Sequence, residues 1–156
     1  MLSSPTLDLH LAIAHHLLAF LLFGVIVAEL ALIRERLSAG DVLLVGKIDL
    51  WYGVLAGLLI GVGFMRAIFA AKGWAYYSTN VFFWAKMGAF GVVALLSILP
   101  TVKIIRWRQA VKADPAALPG TDEIAQIRKF LWAELAVFAL IPSFAAAMAR
   151  GYGMMG

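Results

Sequence analysis

Apolar residues dominate four long stretches of the chain, roughly His10 to Ile33, Ile48 to Ala71, Ser78 to Val102 and Ile124 to Ala149. A bilayer core about 30 Å thick takes ~20 helical residues to cross. Each stretch meets that length, so the pattern predicts four transmembrane helices. What remains is loops and ends, too short for a separate soluble domain. The expected fold is all-α, one integral membrane four-helix bundle covering residues 1–156.

The polar positions that interrupt these stretches separate into two layers once each is placed at ~1.5 Å of helix rise per residue with alternating helix direction. One layer holds His15 and His16 on the first span, Arg66 on the second and Lys86 on the third. Arg150 and Tyr152 close it at the end of the fourth span, and Trp74, Tyr76 and Tyr77 lie at the interface. The other layer holds Glu29, Asp49 and Glu134, near Lys47 and Arg128. An ionisable group inside a span is costly, which makes each of these a functional candidate.

Charge then orients the bundle. The first and third connections and their flanks carry Arg34, Arg36, Lys47, Lys103, Arg106, Arg108, Lys112, Arg128 and Lys129, against Lys72 and Arg150 on the other side. Under the positive-inside rule both termini are expected outside the cytoplasm, in a bacterial inner membrane. The net charge of +4 is explained by this basic membrane face and does not point to nucleic acid. The first stretch lacks a basic n-region and exceeds the length of a signal-peptide core, so it reads as a retained span. In the third connection, Thr121 followed by Asp122 and Glu123 reads as the N-cap of the fourth helix.

Composition limits the chemistry. The chain is 63% hydrophobic and contains no cysteine, which removes thiolate metal sites, iron–sulfur clusters and c-type haem attachment. No loop carries a nucleophile–base set or a phosphate-binding glycine loop. Imidazole ligation of haem b is a leading use of a histidine in a four-helix membrane bundle. Neighbouring helical residues diverge by about 100°, so His15 and His16 cannot both face one small site; His15 shares a face with Glu29 and is expected inward, with His16 on a flank and His10 interfacial. Because all three histidines lie on one span, a haem within one chain would be held by a single His, or by His with Lys86 or a methionine such as Met65, Met87 or Met148, or a homodimer would supply the second imidazole. Lys86 and the two arginines also have the plain reading of snorkelling to the headgroups. The three carboxylates read either as salt-bridge partners of Lys47 and Arg128 or as a proton path. Gly53, Gly57 and Gly61, spaced by four, predict a groove for close helix packing.

Several segments carry a resemblance: Glu29, "DLWYG" at Asp49 to Gly53, "GFMR" at Gly63 to Arg66, "FFWAKMG" at Phe82 to Gly88 and "AAMARG" at Ala146 to Gly151. In their order the chain resembles a family of uncharacterised bacterial predicted membrane proteins, a domain of unknown function, which implies no activity. A shorter likeness, resting on the early histidine and on Trp84 and Lys86, is to HemJ-type membrane protoporphyrinogen IX oxidases and to CopD-like copper-resistance proteins. That likeness implies a tetrapyrrole site at His15 or His16 with Lys86, the aromatic Trp84 packing on the ring. Arg66 and Arg150 would pair with ligand carboxylates, and Glu29, Asp49 and Glu134 would accept protons. The function expected is haem-dependent redox chemistry, porphyrinogen oxidation or electron transfer to quinone. The competing readings are a copper or proton-coupled transport module using Met148, Met154 and Met155, and a structural accessory subunit.

Overall fold

The computed structural model describes residues 5–69 and 73–154; the sequence readings at Ala71, Lys72 and Met155 lie outside the described residues. The chain forms α1 (Pro5–Leu32), α2 (Ala39–Phe69), α3 (Gly73–Ser78), α4 (Val81–Ala113) and α5 (Thr121–Ala149). Among the described residues there is no strand, only one isolated bridge between Asn80 and Met154. The four long helices are each long and apolar enough to cross a membrane, so the expected all-α four-helix bundle is the fold found.

Helix ends differ from the apolar stretches, and capping explains why. The α2 helix starts well before Ile48 because Ser38 and Asp41 cap each other reciprocally: the Ser38 amide donates to Asp41 Oδ2 at 2.9 Å, and the Asp41 amide to Ser38 Oγ at 3.2 Å. Residues Gly73–Ser78, expected as loop and span edge, form the separate helix α3. The α4 helix begins only at Val81, where the Asn80 side chain accepts from the Phe82 and Phe83 amides. It then runs to Ala113, about 50 Å at 1.5 Å per residue, well beyond what a ~30 Å hydrocarbon core requires. The long third connection therefore shrinks to residues 114–120. The N-cap of α5 is Gly120, with no side-chain cap bond; Thr121, expected there, is the first helical residue.

In cross-section α1 packs along α2 and α5, and α4 packs along α5 and α2, while the diagonals α1–α4 and α2–α5 stay apart. Three apolar clusters fill the bundle from end to end. At the basic end Ile33, Val42, Ile104, Trp107, Ile127 and Leu131 pack together. Leu22, Ile26, Tyr52, Val93 and Phe138 fill the middle, and Ala67, Tyr77 and Phe83 close the terminal end. Outward-facing residues such as Leu50, Trp51 and Leu95 are large, apolar and exposed, as lipid contact requires.

The glycine stripe departs from expectation. A Cβ added at Gly53, Gly57 or Gly61 would meet nothing within 4 Å, so these glycines open outward instead of seating a neighbouring helix of the bundle. The close approaches occur at other glycines. Gly46 accommodates the Arg108 side chain, 2.8 Å from the position a Cβ would take, and Gly63 accommodates the His15 ring at 3.4 Å.

Candidate functional site

Both described ends of the chain and α3 gather at one end of the bundle. The tie is local: Val81 N donates to Gly153 O at 2.8 Å, Asn80 Nδ2 donates to Tyr152 O at 2.9 Å, and Tyr76 OH donates to Met148 O at 3.0 Å. Between the helices at this end lies a cavity of about 650 Å³, within the range of small-molecule sites.

The cavity brings together four of the expected residues from three helices: His15 and His16 of α1, Arg66 of α2 and Lys86 of α4. Its walls are otherwise apolar and aromatic, with Phe20, Phe23, Phe138 and Tyr77 among them. The Lys86 ammonium lies over the Phe83 ring, 5.4 Å from its centroid, and the side chain lines the cavity. Arg66 Nε, His15 Nδ1 and one carboxylate oxygen of Asp8, also a lining residue, are buried without a hydrogen-bond partner. An unmatched buried polar atom costs about 1–3 kcal/mol, so three around one space mark it as built for a polar occupant.

The two histidines differ in preparation. His16 Nδ1 donates to the Ala12 carbonyl at 2.6 Å. A carbonyl only accepts, so this bond places a ring proton on Nδ1 and turns Nε2 to the other edge of the ring. His15 stands edge-on to it, ring centroids 6.1 Å apart, against Gly63. The sequence reading that put His15 inward and His16 on a flank matches this placement, yet both imidazoles reach the cavity. His10 lies apart, its Nδ1 donating to Thr6 O at 2.6 Å.

Arg150 and Trp84 are not brought to the cavity. Arg150 is the exposed C-cap of α5. Trp84 is half exposed, and its indole N–H donates to Ser78 O at 2.9 Å; two residues along a helix is a rotation of about 200°, which sends it away from the side taken by Lys86. Nor do Glu29, Asp49 and Glu134 line the cavity; they lie buried deeper in the bundle. The salt bridges expected for them do not form. The one ion pair among the described residues joins Lys103 to Glu123. Arg128 instead donates to the Leu30 carbonyl at 2.9 Å and to that of Ile33, closing the C-terminus of α1. Asp8 and Asn80 were missed by the sequence reading: Asp8 precedes the first apolar stretch, and Asn80 is an uncharged residue near the start of the third, where only ionisable and aromatic positions were sorted by depth.

Four membrane-length helices around a largely apolar cavity that holds a few ionisable side chains define a multi-span helical membrane protein with a ligand-sized space at one end. The chain belongs to the family of predicted membrane proteins DUF2214, whose model matches residues 7–153. This bears out the first of the two resemblances; the likeness to HemJ- and CopD-type proteins finds no support in it. No curated protein and no solved structure matches the chain.

Proposed function

We propose that the protein is an integral redox protein of the bacterial inner membrane that holds haem b in the terminal-end cavity, with the basic end in the cytoplasm. The observation that carries this reading is the joining of the paired histidines to Lys86 and Arg66 in one aromatic-walled space. His16 would hold the haem iron: its Nδ1–H bond to the Ala12 carbonyl is the kind of contact that fixes the orientation of a ligating imidazole. Lys86 faces the same space as second ligand or substrate contact. Arg66 would offer its guanidinium fork to acid groups of the ring, and Phe20, Phe23 and Phe138 of the cavity wall would give it apolar cover. Bound haem supplies one-electron chemistry, used on a porphyrinogen or for transfer to a quinone.

The visible spectrum of the purified protein, with and without dithionite, is the test. A Soret band that is lost in His16→Ala, shifted in Lys86→Ala and unchanged in His10→Ala is the expected result. Absence of the band after expression with ample haem overturns the reading. Met148 lines the same cavity and favours, as a second reading, a Cu(I) site of thioether and imidazole without haem. Met154 is less suited to it, since its sulfur already accepts from Asn80 Nδ2 at 3.5 Å. Metal analysis of the protein separates the two.

A further inference from the structure

Outside the residues that line the cavity, all four long helices contribute polar side chains to one layer: Glu29 from α1, Asp49 and Tyr52 from α2, Thr101 from α4 and Glu134 from α5. Glu29 is 2% exposed, Asp49 6% and Glu134 1%, and Glu29 lies within electrostatic reach of both other carboxylates. The donors are committed. Tyr52 OH crosses the α2–α5 diagonal to Glu134 Oε1 at 2.5 Å, and Thr101 Oγ1 donates to Asp49 Oδ1 at 2.7 Å. Glu29 Oε1 is buried with no partner.

Among the described residues, no cation is paired with a carboxylate of this layer. Arg128, the nearest basic group on α5, is committed to the α1 carbonyls, Lys103 to Glu123, and Lys47 is exposed. Three uncompensated carboxylate charges at this depth would each cost several kcal/mol. A metal ion is a poor remedy, because among the described residues no three His, Cys, Asp or Glu side chains converge closely enough to hold one. A proton removes one charge and turns one acceptor into the missing donor.

We infer that the Glu29–Asp49–Glu134 layer is a proton-binding site in which Glu29 carries an exchangeable proton toward its two carboxylate neighbours. Such a group, enclosed by four helices, suits a protein that couples its work to proton movement. The site requires no ligand in the cavity, so it stands or falls independently of the haem reading.

The test uses the full chain in lipid vesicles treated with dicyclohexylcarbodiimide, which adds to protonated carboxyl groups in apolar surroundings, followed by peptide mass spectrometry. Modification at Glu29, absent in Glu29→Gln and unaffected by sodium, is the expected result. No modification at Glu29 overturns the site, and protection by sodium overturns the proton in favour of a metal ion. A second measurement needs no variant: the infrared carbonyl band of a protonated carboxylic acid, shifting in heavy water, is expected from the unmodified protein, and its absence equally overturns the proposal.

Discussion

Asn80 has 0% exposure, and its single amide performs two tasks. Its oxygen caps α4 through the Phe82 and Phe83 amides, and its nitrogen holds the chain at Tyr152. Asn80→Ala leaves the Tyr152 carbonyl and the first α4 amides without these partners, at a cost of about 1–3 kcal/mol; thermal unfolding in detergent should show the loss, and Asn80→Asp should recover the cap without the second bond. Gly153 faces the same junction from the other side. Its φ is +79° and an added Cβ would lie 2.5 Å from Phe82 Cδ2, so Gly153→Ala is expected to destabilise as much as Asn80→Ala, by the same assay. Neither role was legible in the sequence, because a cap is recognised from the helix start it serves, and the apolar pattern set that start near Ser78.

The four long helices were legible because apolarity sums over ~20 positions and survives local exceptions. Their ends were not, because ends depend on single residues such as Ser38 and Gly120, and on tertiary cover. The extension of α4 past Val102 is held by Ile104, Trp107 and Val111 packing on Ile124 and Ile127 of α5, a pairing across distant sequence. Arg128 shows the same limit: its charge suggested a carboxylate partner, whereas the open carbonyls of the α1 terminus claimed it. Arg128→Ala should cost about 1–2 kcal/mol, seen as faster hydrogen exchange confined to the end of α1 and residues 33–38. Tyr52→Phe removes the hydroxyl that donates to Glu134 Oε1 and should lower stability by about 1–3 kcal/mol, without altering any spectrum that arises at the cavity.

The molecule as a whole is polarised, with a cavity and both described ends at one extreme and the basic helical extension at the other. Depth sorting along four antiparallel spans located His15, His16, Arg66 and Lys86 at one level without coordinates; the rotation of each side chain, which removed Trp84 and Arg150, required the bundle. Since the chain has no cysteine, single cysteines can map its orientation against an empty background. A cysteine at Ala116 is expected to react with a membrane-impermeant maleimide only after permeabilisation, and one at Tyr152 before it. The clip between Asn80 and Tyr152 also sets a schedule for biogenesis. Its halves are 72 residues apart, so at about 5–20 residues per second the ribosome delivers the second roughly 4–14 s after the first. During that interval α5 has yet to cross the membrane, and the cavity lacks the wall that Phe138, Ile141 and Ala145 later supply.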